Sequence, residues 1–171
     1  MFFEIEQKTK IKIPPRLLDS KIDLTIKKQL IKKVVGKCSI QYGYIINLSN
    51  IISISEGIFE DHLGNCSFMI VFKCLALKLF KNEIVDAIVT KVIERGVFCE
   101  LGPIKIFVNV EKIPKILRFR LCEQPFFSTE SQDNIIKVDS EIRLKILTIN
   151  FEENNFFANG TINEPFLGPL Y

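Results

Sequence analysis

At 171 residues, 47% apolar and 25% charged, the chain is long enough for one domain or two small ones and apolar enough to build a core for each, which excludes disorder throughout. The formal charge of +3 hides an asymmetry: up to Phe80 there are 12 basic and 7 acidic side chains, and from Lys81 onward 11 and 13, so the halves carry +5 and −2 and read as two modules with different partners. Acids at Glu4 and Glu6 stand where a secretory signal needs bases, and no stretch approaches the roughly eighteen uncharged apolar residues that cross a membrane.

In chain order, Lys10-Ile11-Lys12-Ile13 has strand period and is stopped by Pro14-Pro15. Ile22, Ile26, Leu30 and Val34 then recur every fourth residue, which predicts a helix with one apolar face; Ser20 and Asp23 have capping-box spacing and Gly36 ends it. The opposite face carries Lys21, Lys28 and Lys32, with Lys27 and Lys33 at its edges, a surface suited to phosphates, to an acidic protein or to plain solvation. Three strands are expected next, Lys37 to Leu48, Ile51 to Ile58 and Ser67 to Phe80, with a turn at Asn50 and a polar loop from Glu60 to Asn65. Gly43, between Tyr42 and Tyr44, marks a bulge or a close backbone approach. The first module is therefore one helix on a small antiparallel sheet.

The second half reads as five short strands: Ile84 to Ile93, a turn at Glu94-Arg95-Gly96, Val97 to Leu101, a Gly102-Pro103 turn, Ile104 to Val110, then Ile142 to Asn150 and Phe156 to Ile162 around the acidic hairpin Glu152 to Asn155. Five such runs in so short a module predict an oligonucleotide-binding barrel. The long connection from Glu111 to Glu141, with Phe126 and Phe127 inside it, reads as a surface loop or a partner-binding excursion.

Cys38, Cys66, Cys74, Cys99 and Cys122 fall singly, so neither a disulfide framework nor a zinc ribbon is encoded, and a reducing compartment, cytosol or nucleus, is expected. His62 is the only histidine; with Cys66 it has the spacing of half a zinc site that lacks its other half. The acidic pairs Glu60-Asp61 and Glu152-Glu153 lie in turns, and no glycine-rich phosphate loop occurs. The chain reads as non-enzymatic, with no metal and no cofactor. For nucleic acid, Phe98 and Phe107 suit base stacking, with Lys91, Lys105 and Arg143 nearby for phosphates; the competing reading puts both phenylalanines in the barrel core.

In order along the chain, Met1-Phe2-Phe3, Gly36-Lys37-Cys38, Gly43-Tyr44-Ile45, Phe80-Lys81-Asn82-Glu83-Ile84-Val85-Asp86, Gly102-Pro103-Ile104-Lys105, Glu141-Ile142-Arg143-Leu144-Lys145-Ile146 and Phe166-Leu167-Gly168 resemble one family. It is the family of RNA polymerase stalk subunits: the seventh-largest subunit of RNA polymerase II and its counterpart in the archaeal polymerase. The resemblance implies an α+β chain, with a truncated-RNP-like helix-on-sheet domain over residues 1–80 and an S1-type OB-fold barrel over 81–171. It also implies a nuclear protein paired with a smaller helical stalk subunit. The pair would dock on the polymerase core beside the RNA exit channel through the first domain, with Gly43 and Tyr44 at the docking tip, and the barrel would contact single-stranded nascent RNA. Leu79 and Asn82 replace the family's usual Pro and Gly near the domain junction, and Asn109 or Val110 stands where RNA-binding S1 barrels often carry a histidine. The stalk subunits of polymerases I and III share the architecture; the Gly-Pro-Ile-Lys strand and short C-terminus favour polymerase II. A stand-alone single-stranded RNA-binding protein using the same barrel is the alternative, and a mean hydropathy of +0.21 favours a chain whose faces are covered by partners.

Overall fold

The structure, a computed structural model, describes residues 1–59, 64–120, 125–128, 135–152 and 155–170. Its strands are β1 Phe2–Ile13, β2 Cys38–Ser39, β3 Gly43–Ile54, β4 Ile58–Phe59, β5 Cys66–Leu77, β6 Ile84–Ile93, β7 Gly96–Leu101, β8 Ile104–Asn109, β9 Arg118–Arg120, β10 Phe126–Ser128, β11 Ile135–Ile136, β12 Glu141–Glu152, β13 Asn155–Thr161 and β14 Gly168–Pro169. One α-helix, α1 Ile22–Val34, follows β1. The chain divides into two compact units, Met1–Lys78 and Leu79–Tyr171.

In the first unit an antiparallel sheet runs β1-β5-β3-β2, with β4 also on β5. β1 and β5 pair without a break from Phe2 opposite Leu77 to Ile13 opposite Cys66. Strand period therefore extends back through Gln7, Lys8 and Thr9, whose polarity conceals it in the sequence; Lys8, Lys10 and Lys12 point to solvent while Ile11 and Ile13 are buried. Ile26, Leu30 and Val34 of α1 pack on Ile13, Ile70 and Phe72, each of those three fully buried.

Two expectations fail here. The capping box does not form, because Lys21 occupies the N-cap at φ −104°, ψ 33°, outside the extended region that directs a side-chain cap, and no side chain caps the helix. Nor does the chain turn at Asn50. β3 runs straight through it, and register shifts between Ile45 and Asn47, Leu48 and Asn50, and Ile51 and Ser53 absorb the extra residues as bulges. The turn lies earlier, at Ile40–Tyr42, between β2 and β3.

In the second unit β6, β7 and β8 form an antiparallel meander, β12 pairs with β6, and β13 pairs with β12 while running parallel to β8. That parallel pairing closes a five-stranded barrel, so none of its strands is left as a long open edge. Val89, Val97, Ile106, Val108, Leu144 and Ile146 fill it, each 0% exposed. The Glu111–Glu141 connection is not a bare loop: β9, β10 and β11 make a three-stranded sheet, and Phe127 is fully buried against Phe119 with ring centroids 5.4 Å apart. His62, Cys122, the acidic pair Glu60-Asp61 and the hairpin residues Glu153 and Asn154 lie outside the described residues.

Candidate nucleic-acid interface

On the barrel's outer surface Lys91 of β6, Phe98 of β7 and Phe107 of β8 stand directly opposite one another in register. Alternation aims Phe98 and Phe107 outward while Val97, Cys99, Ile106 and Val108 point in. Phe98 is 38% exposed and Phe107 half-buried, so neither is core, and their rings lie 4.8 Å apart, tilted by 42°. A bulge between Val89 and Lys91 gives β6 one extra residue, which turns both Thr90 and Lys91 to solvent while Val89 and Val92 stay buried. The Thr90 hydroxyl donates to the Phe98 carbonyl at 3.3 Å.

Gly96 fixes the far side of this row. Its φ is +152°, and a Cβ there would sit 2.1 Å from the Val108 carbonyl oxygen and 3.0 Å from the tip of the Phe107 ring, so that ring lies over bare backbone. Beyond Phe107 the parallel strand brings Asn159, whose amide donates to Thr148 Oγ1 at 3.1 Å, and Phe157, 40% exposed, stands opposite Lys105. Thr90, Lys91, Phe98, Glu100 and Lys105 line a shallow concavity of about 290 Å³ whose floor is Cys99. Burial pushes the Cys99 thiol up to about 12, so it is a neutral floor rather than a nucleophile.

Arg143 does not join the row. It donates from Nε and a terminal nitrogen to the two carboxylate oxygens of Asp86, at 2.7 and 2.8 Å, and that hydrogen bond is the main cause holding the Asp86 carboxyl below its ordinary range. The pair also explains an aspartate inside the apolar run of β6. Sequence reasoning finds the two phenylalanines and the two lysines; it misses Thr90, Asn159 and Phe157, which only the bulge and the parallel closure bring to the same face.

In the first unit Gly43 is buried at the start of β3, with φ +86°; a Cβ would meet the Leu77 carbonyl oxygen at 2.4 Å and Lys78 Cβ at 2.9 Å. The close backbone approach is thus intramolecular. Tyr44 is half-buried beside it, and Ile40, 68% exposed, and Gln41 are the residues of this turn that reach solvent. Lys78 Nζ donates to the Gln41 carbonyl at 2.8 Å and ties the turn to the end of β5.

Among the described residues no cluster of three or more His, Cys, Asp or Glu side chains is placed to hold a metal ion, and no helix is long and apolar enough to cross a membrane. Cys38, Cys66, Cys74 and Cys99 are buried free thiols.

Comparison with known proteins fits both units. Residues 8–62 match the family described as the SHS2 domain found in the N terminus of Rpb7p/Rpc25p/MJ0397, and residues 78–157 match the S1 RNA binding domain. The chain is thus an SHS2 domain followed by an S1 domain. Relatives match along nearly the whole length: DNA-directed RNA polymerase II subunit RPB7 of Glycine max is 33% identical, covering 99% of this chain and 97% of its own. The rpb7 subunit of Schizosaccharomyces pombe is 34% identical over 99% of each chain. The RNA polymerase V subunit 7 of Arabidopsis thaliana is 28% identical over 99% of this chain and 98% of its own. The chain belongs to the RNA polymerase subunit 7 family.

Proposed function

We propose that this chain is the non-catalytic stalk subunit of a nuclear RNA polymerase II, paired with a smaller helical subunit and docked on the polymerase core near the RNA exit channel, where its S1 barrel meets single-stranded nascent RNA. The observation that carries the reading is that relatives named as this subunit match over 97–99% of their own length, so both domains and their order are shared. In this reading the first unit docks, with the Ile40–Tyr44 turn at its tip. Phe98 and Phe107 stack bases, Lys91 and Lys105 meet phosphates, and Arg143 contributes only if RNA displaces it from Asp86. No cofactor is required, because the chain supplies surfaces rather than chemistry.

Co-expression with the same organism's smaller stalk subunit, followed by size exclusion with light scattering, tests it. A soluble one-to-one complex is expected. A well-behaved monomer that ignores that partner would leave the free-standing RNA-binding protein in its place.

A further inference from the structure

The first unit carries a surface apart from the Ile40–Tyr44 turn. A groove of about 470 Å³ runs between α1 and the outer edge of β3, walled by Asp23, Leu24 and Lys27 on the helix and by Leu48 to Ile54 on the strand. Two large apolar side chains face solvent across it, Leu24 at 58% exposure and Ile52 at 47%, although Ile26 and Leu30 on the same helix are fully buried. The strand edge is also open. β5 pairs with β3 from Tyr44 to Ile54, whereas β2 meets only Gly43 and Tyr44, so beyond Ile45 no strand covers the outer edge among the described residues.

We propose that this groove docks an acidic, extended segment of a partner protein, which seats an apolar side chain between Leu24 and Ile52 and sets its carboxylates against the lysines of α1. Charge favours an acidic segment: Lys27 and Asp23 are the charged residues of the lining, and Lys28 and Lys32 follow Lys27 along the helix with no further acid in Ile22–Val34, in a half of the chain that carries +5. Groove chemistry argues against RNA, since the lining holds leucine and isoleucines but no aromatic ring on which a base would stack. The bulges of β3 limit how it binds. With register shifts at three places the edge cannot extend a regular ladder, so side-chain burial and charge hold the segment and main-chain bonds only orient it.

The test uses the full chain and a fluorescein-labelled peptide of about ten residues alternating leucine and aspartate, followed by anisotropy at low and high salt. Saturable binding is expected, weaker at high salt and weakened at least about tenfold by Leu24→Glu and by Lys27→Glu. Both side chains are exposed, so both variants keep the wild-type thermal midpoint. With the chain alone, three results would overturn the proposal: no saturation up to about 1 mM peptide, equal binding of a leucine–lysine peptide, or competition by oligouridylate. Displacement by the smaller stalk subunit would also overturn it, by assigning the groove to that subunit; failure of that subunit to bind the chain at all leaves the peptide result standing and touches only the stalk reading.

Discussion

Gly43 shows how one residue carries a meaning that its sequence context only half reveals. A glycine between two tyrosines signals close approach, and the approach is to the chain's own Leu77 carbonyl rather than to another protein. Substitution there tests folding: Gly43→Ala forces a Cβ into a left-handed backbone and a carbonyl oxygen, and should cost more than about 2 kcal/mol in urea denaturation. Ile40→Glu, at the exposed tip of the same turn, should leave stability within about 0.5 kcal/mol and reduce co-purification with the polymerase core. Unchanged co-purification would remove this turn from the docking surface. Cys99 makes a second residue-level prediction. Its thiol rises from 9.0 to about 12 through burial. Between those values the folded chain keeps a proton that the unfolded chain has released, so this group's contribution to stability falls as pH rises. The stability advantage of wild type over Cys99→Ala should therefore shrink by about 1 kcal/mol between about pH 8 and pH 10, and a constant gap would show that the thiol titrates normally.

At the scale of elements, the aromatic row depends on a strand pair, a bulge and a glycine acting together. Because Phe98 is 38% exposed and its ring leans on Phe107 rather than on the core, Phe98→Ala should weaken single-stranded RNA binding by about 1–3 kcal/mol with little change in thermal midpoint. A barrel that unfolds instead would return Phe98 to a structural role. Gly96→Ala should do the opposite, destabilising the barrel through the 2.1 Å contact with the Val108 carbonyl. These elements differ in how far the sequence discloses them. The barrel strands are legible because each has period two and is closed by turn residues such as Gly102-Pro103, and they start and stop within two residues of where the alternation places them. The helix body is legible from its four-residue apolar spacing, but its start is not, since Lys21 takes a backbone conformation that Ser20 and Asp23 do not announce. The bulges of β3 and β6 are the least legible: an inserted residue in a strand carries no compositional mark, so Asn50 looks like a turn, and alternation from buried Ala87 and Val89 would point Lys91 inward until the partner strand fixes the register. For the same reason the aromatic row is only partly readable. Its phenylalanines could be picked out, whereas which face they occupy depends on the pairing, and Arg143 passes for a phosphate ligand until Asp86 is brought opposite it.

For the whole molecule, the charge asymmetry between +5 and −2 halves makes the salt dependence of RNA binding diagnostic of which half takes part. The aromatic row lies in the unit with the acidic excess, and the cations beside it are Lys91 and Lys105, with Glu100 opposite both Lys105 and Ile88 in the same sheet. Each phosphate neutralised on a single strand contributes a slope of about −0.7 to the log–log plot of affinity against salt, so two contacts predict about −1.4. Stacking on Phe98 and Phe107 adds affinity without adding slope, because it releases no counterions. Binding of a short oligouridylate to the full chain should therefore be weak, shallow in its salt dependence and sensitive to Phe98→Ala at every salt concentration. A slope steeper than about −3 would need more cations than the barrel face supplies, and would transfer part of the RNA path to the lysines of β1 and α1. In that case Lys27→Glu, placed in the proposed peptide groove, would lower RNA affinity as well, and the division of labour between an acidic-protein surface on the first unit and an RNA surface on the second would fail.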